Sequence, residues 1–274
     1  MERKIIDFHT HAFPDKIAGK TIELLSQKGG IPAHTDGRTE GLRAVLAEAG
    51  ISLGVVLPVV TRPEQFASVT SFAAKINEEY DLNKQTKLLS FGGIHPDSTD
   101  YKKELKTLAE AGFLGIKLHP DYQGVYFDDI RFLRIIEYAT ELGLIVITHA
   151  GVDIGFPDTV RCTPKRALKV IREVKPEKLV LAHCGGWGLW DEVLDTMAGE
   201  PVYMDTAYSM GHISEERFVA LCRAHGTDRM LFATDCPWGN PKRDVETFLS
   251  FPLTEKEKEL MLYKNAEQLL RVHC

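Results

Sequence analysis

Long hydrophobic runs, paired cysteines and an excess of positive charge are all missing from this chain of 274 residues. No apolar stretch approaches the roughly 18 residues that a membrane span requires. The apolar run within Met1–Phe8 is too short for a signal peptide. The five cysteines (Cys162, Cys184, Cys222, Cys236 and Cys274) are odd in number and form no Cys-x-x-Cys pair, which argues against a disulfide framework or a zinc ribbon. Net charge is −6, from 33 basic and 39 acidic residues, and the Lys-rich stretch 254–264 is interleaved with Glu as on a solvated helix. Nucleic acid, which selects a basic stripe, is therefore not an expected partner, and neither is a membrane. No Gly-x-Gly-x-x-Gly follows the first apolar run, so a dinucleotide-binding open sheet lacks its mark. A cytoplasmic enzyme is the expectation.

The composition, 44% hydrophobic and 26% charged, is that of an ordinary globular protein. A chain of this length buries a substantial core, and residues 1–274 read as a single domain. Eight short β-rich runs recur: Lys4–Phe8, Leu53–Pro58, Leu88–Ile94, Leu114–Leu118, Leu144–Thr148, Leu179–Ala182, Pro201–Met204 and Met230–Thr234. Amphipathic helical patterns lie between most of them, including Gln65–Tyr80, Tyr101–Ala111, Ile130–Leu142, Thr163–Val174, Ser214–Ala224 and Glu255–Leu270. Eight strand–helix repeats predict an α/β fold, a (β/α)8 TIM barrel, with an open doubly wound sheet as the alternative. The barrel is expected to be distorted by a long loop after strand 1. Residues 12–38 are rich in Gly, Pro, His and Asp before a helix begins near Thr39. Such a loop is either a lid or substrate loop or a plain surface excursion.

Six of the ten histidines fall at the C-terminal ends of predicted strands: His9, His11, His95, His119, His149 and His183. That face carries the active site of such barrels. Strand alternation puts Asp7, His9 and His11 on one face, and Ile6 and Phe8 on the other, against the helices. The same alternation turns Lys117, His119, His149, His183 and Asp235 into the barrel mouth. Imidazoles with one carboxylate suit zinc, and tolerate manganese or iron.

The segments Asp7–Pro14, Ile147–Gly151, Ala182–Gly186, Tyr203–Thr206 and Phe232–Gly239 resemble the amidohydrolase superfamily, in particular its amidohydrolase-2 branch, which includes aminocarboxymuconate-semialdehyde decarboxylase. The resemblance runs from the first strand to the last. It implies one divalent metal ion, zinc first, held by His9, His11, His149 and Asp235. It also implies that His183 is an acid/base at the metal-bound water, or a ligand to a second ion in binuclear members. Lys117 lies near the position of a carboxylated, metal-bridging lysine, and reads here as a free ammonium binding an anionic substrate or a structural carboxylate. His95 and His119 either contact substrate or hold loop backbone. Asp7 or Asp205 can accept the second N–H of a ligating imidazole. Arg38, Arg161 and Arg166 either pair with a substrate carboxylate or serve the surface. Cys184 and Cys236 read as packing residues. Trp187 and Trp238 read as pocket walls, and Trp190 as either a wall or core packing. His212 follows strand 7 within reach of the pocket.

The first reading of function is a metal-dependent hydrolase that uses metal-activated water on a small carboxylate, lactone or amide, with His183 and Asp235 as the catalytic residues. The alternative is a lyase on the same ligand set, a non-oxidative decarboxylase or hydratase of an unsaturated or aromatic acid. A non-enzymatic metal-binding barrel is the third reading. A small anionic molecule is the expected partner, and a homodimer is compatible with the sequence.

Overall fold

Runs of Val, Ile and Leu bounded by turn residues form nine short strands in the computed structural model, which describes residues 3–80 and 86–272. They are β1 (Ile6–Thr10), β2 (Leu53–Val56), β3 (Lys87–Ser90), β4 (Gly92–Gly93), β5 (Gly115–Leu118), β6 (Ile145–Thr148), β7 (Leu179–Leu181), β8 (Tyr203–Asp205) and β9 (Met230–Leu231). All pair in parallel, in the orders β1-β2-β3 and β4-β5-β6-β7-β8-β9. β3 and β4 are two halves of one barrel strand, interrupted at Phe91. The last and first strands close the ring: Phe8 N–H donates to Phe232 O at 3.0 Å, and Asp235 N–H to His9 O at 2.8 Å. The eight-stranded parallel barrel expected from the sequence is the fold. Three of the helices are started by side-chain caps in which Thr163, Ser214 and Asn240 each accept the backbone N–H three residues on. No helix among the described residues is long and apolar enough to cross a membrane.

Two apolar layers hold the barrel. Ile116, Leu118, Val146, Leu181 and Phe232 face outward onto helix residues such as Leu105, Phe132, Val170 and Phe248. Cys184 and Cys236 pack in this layer, as expected. Ile6, Phe8, Leu53, Val55, Phe91, Ile147 and Val180 fill the interior. The Phe8 and Phe91 rings meet edge to face there at 6.0 Å. Truncating a buried Phe of this kind to Ala costs about 3–5 kcal/mol.

Two expectations need correction. Ile6 and Phe8 point into the barrel, not onto the helices, while Asp7 turns to Thr234. A β-bulge is the cause: Asp7 pairs with Gly54 but Thr10 with Val56, so β1 carries one extra residue, and His9 and His11 swing inward after Phe8. The connection after β1 is not a bare loop either. Residues Asp15–Gly29 form a helix, ended by Gly30 in the left-handed conformation at φ 66°. Its apolar residues at Ile17, Leu24 and Leu25 are only partly covered, and Ala18 alone is buried.

Candidate active site

The strand ends deliver His9, His11, Lys117, His119, His149, His183 and Asp235 to the floor of a cavity of about 690 Å³. His95 does not join the lining. Its Nδ1 accepts the Asp97 N–H at 3.1 Å, so it holds its own loop rather than facing substrate.

His9, His11 and Asp235 converge. His11 Nε2 lies 3.0 Å and His9 Nε2 3.4 Å from Asp235 Oδ1. Each ring is fixed from behind: His9 Nδ1 is 2.9 Å from Asp205 Oδ2, and His11 Nδ1 is 2.9 Å from Leu57 O. A carbonyl oxygen only accepts, so His11 donates through Nδ1 and its neutral form aims a bare Nε2 lone pair at a carboxylate oxygen. Asp205 takes the second N–H of a candidate ligand, whereas Asp7 accepts from Thr234 Oγ1 at 2.5 Å and serves the barrel seam.

His183 reaches the cavity by a route that alternation does not describe. Leu179 and Leu181 face outward and Val180 inward, which would send residue 183 outward. Instead the chain turns: His183 has φ 61° and Cys184 φ 55°, both left-handed, and the imidazole swings in. Its Nδ1 donates to Ala207 O at 2.8 Å, which leaves Nε2 to accept from His149 Nδ1 at 2.9 Å. His149 is thereby left with a bare Nε2 that is buried and has no hydrogen-bond partner. It belongs to a second cluster, with His119 and Asp153, rather than to the His9–His11–Asp235 group. The His119 and His149 rings stack at 4.5 Å. Lys117 Nζ is 2.9 Å from His9 Nε2, so the ammonium sits on a candidate ligand atom instead of standing free in the wall.

Charge states follow from burial. Desolvation lowers the pKa of His9, His119 and His149 well below the ordinary imidazole value, with neighbouring cationic groups adding to it. Burial brings Lys117 down to about 8, against the pull of Asp205, Asp235 and Asp153. Burial alone would raise Asp235, but the surrounding imidazoles of His11, His9 and His183 outweigh it and hold the carboxyl at about 2. Neutral imidazoles around an ionised carboxylate are the protonation states that a divalent cation needs. The converging Nε2 atoms of His9 and His11, and the orphaned one on His149, fit such an ion.

The walls are apolar and aromatic, with Phe13, Tyr122, Trp187, Tyr208 and Trp238 around the floor. Trp190 is not among them; its indole N–H donates to His183 O at 3.1 Å and secures the turn. His212 stacks on Tyr208 at 4.7 Å, behind the wall. The three arginines stay outside: Arg166 pairs with Asp128, Arg161 lies 3.6 Å from Asp121, and Arg38 lies 3.9 Å from Asp36. Asp153 is the residue that sequence reasoning missed. It follows His149 by four positions in a loop, and its Oδ2 stands 3.4 Å from His119 Nε2. Its one sequence signal was an acidic residue two positions after the His-Ala-Gly turn.

The chain matches the family model described as Amidohydrolase over residues 6–272. The decarboxylase orsB of Emericella nidulans is 32% identical over 95 residues, a segment covering 32% of this chain and 27% of that relative. An uncharacterized TIM-barrel protein of Bordetella bronchiseptica superposes with a TM-score of 0.80 at 20% identity, covering 98% of each chain. A dihydroxybenzoic acid decarboxylase from Polaromonas, solved with bound manganese and the inhibitor 2-nitroresorcinol, superposes with a TM-score of 0.73 at 15% identity, covering 98% of this chain and 97% of that one. The chain belongs to the amidohydrolase family.

Proposed function

We propose that this member of the amidohydrolase family is a metal-dependent, non-oxidative decarboxylase of a small aromatic carboxylic acid. The carrying observation is that the histidine–aspartate centre lies at the base of a cavity walled by Phe13, Tyr122, Trp187, Tyr208 and Trp238. Flat aromatic walls suit a planar ring. The decarboxylase orsB and the dihydroxybenzoic acid decarboxylase support the lyase reading over the hydrolase that the sequence first suggested. The manganese of that second protein likewise makes manganese as good a candidate here as zinc.

His9, His11 and Asp235 would hold the ion; His149, although it clusters with His119 and Asp153 in the ion-free chain, would add its unpartnered Nε2 as the fourth donor. When bound, the ion supplies positive charge that anchors and polarises the anionic substrate. The aromatic residues hold the ring face and exclude water. Lys117 adds positive charge beside the carboxylate. His183, backed by Ala207 O, gives up the bond it accepts from His149, takes a proton from solvent on Nε2 and delivers it to the ring carbon bearing the carboxylate. The bond from that carbon to the carboxylate then breaks, its electron pair returns to the ring, and carbon dioxide leaves. One proton is consumed, and His183 recovers it from solvent.

Metal-loaded protein should be incubated with a panel of hydroxybenzoates and assayed for released carbon dioxide. Release from at least one acid is expected. Cleavage of lactones or amides with solvent oxygen-18 in the product, and no carbon dioxide from any acid, would overturn the proposal in favour of the hydrolase.

A further inference from the structure

The cavity is larger than a ring acid needs. A cavity of about 150 Å³ is enough for a benzene ring, whereas this one measures about 690 Å³. Much of the excess is bounded by two helices beyond the strand ends. The Asp15–Gly29 helix contributes Ile17, Thr21 and Leu25, four residues apart and so on one face. The Phe66–Glu78 helix contributes Ser68, Val69 and Phe72. Ile31 adds to the apolar surface from the segment after the first helix.

Ile17, Leu25, Ile31 and Val69 belong neither to the two packed apolar layers nor to the residues laid against them. Ile17 is 51% exposed. Apolar side chains that line a cavity without joining the core lower the free energy only when something apolar covers them. The surface is continuous with the catalytic floor, so the molecule that reaches the floor also passes over it.

We infer that the acid carries an apolar substituent of several carbons, which lies between the Asp15–Gly29 and Phe66–Glu78 helices while the carboxylate meets the histidine–aspartate floor. This deepens the decarboxylase reading and rests on it for the placement of the carboxylate. The first helix is then a specificity element: it selects the tail rather than the reacting group.

The test uses binding, so that it does not depend on turnover. Metal-loaded wild type is titrated calorimetrically with benzoate, 3-butylbenzoate and 4-butylbenzoate. Each buried methylene strengthens binding about fourfold, so the better butyl isomer should bind at least tenfold tighter than benzoate. Leu25→Asp and Val69→Asp, made separately and checked by melting temperature, should each remove most of that gain while changing benzoate affinity by less than about twofold. Butyl acids that bind no tighter than benzoate overturn the inference, as does a gain that survives both substitutions. A Leu25→Asp variant that shifts a dimer to a monomer with the gain intact also overturns it, because the strip would then be an interface between copies. A butyl gain that both substitutions remove, with no carbon dioxide released from any acid, would sink the decarboxylase reading while leaving an apolar-tailed acid as the ligand.

Discussion

Asp205 ties His9 to His183. Its Oδ2 lies 2.9 Å from His9 Nδ1, and its Oδ1 accepts the His183 backbone N–H, also at 2.9 Å. A single buried carboxylate thus orients a candidate metal ligand and anchors the turn that carries the candidate proton donor.

Asp205→Asn should accordingly weaken metal affinity by about 10–100-fold, the usual effect of losing the partner behind a ligating imidazole. Competition against a calibrated chelator measures it. Unchanged affinity would show that His9 is not a ligand.

Removing the ion should loosen the fold. Protein dialysed against chelator is expected to melt at a lower temperature than the loaded form. Free metal at a hundredfold its Kd should restore about 2.7 kcal/mol. Identical melting curves with and without zinc or manganese would count against a metal centre.

His183→Asn should retain one ion per chain by elemental analysis while losing about 10²–10⁴ in turnover, because the proton donor is gone. Lys117→Met should also keep its ion and raise KM for the acid. Two ions in the wild type, falling in both variants, would instead make both residues ligands.

Asp244 sets a pH dependence beside the metal cluster: burial raises its carboxyl first, and the Asp235 charge adds to it. Burial lifts its carboxyl to about 7 although Arg243 pulls it down. The folded chain therefore keeps a proton that the unfolded chain releases from its ordinary value of 3.8 upward. This contribution is fully present below that value and is lost as pH rises toward about 7. Asp244→Asn removes the titration, so urea midpoints should move in the variant's favour across that window and level off above it. A gap independent of pH would rule this out.

The barrel was legible because strand runs alternate with amphipathic helices, and the floor because histidines mark the strand ends. What escaped the sequence were departures from regular geometry. The bulge after Asp7 reverses the alternation that β1 displays, so His9 and His11 reach the cavity although Phe8 is also inside. His183 arrives by a turn of the backbone rather than by strand parity. The Asp15–Gly29 helix was hidden because the Gly, Pro, His and Asp residues around it read as loop, and of the helix itself only Ala18 is buried. Asp153 sits in a loop, where no periodicity singles out one carboxylate from another.

The left-handed backbone at His183 (φ 61°) and Asp235 (φ 63°) sets chemistry against endurance. A side chain with a Cβ pays roughly 1–2 kcal/mol to sit there, and glycine does not. His183→Gly and Asp235→Gly should each therefore unfold at higher denaturant than the corresponding Ala variants, although both kinds lose the functional group. A lineage selected for heat resistance alone would drift toward glycine at both positions. Among the described residues six non-glycine positions have left-handed backbone, and two of them carry the imidazole and the carboxylate of the cavity floor, so stability is given up where those groups are aimed.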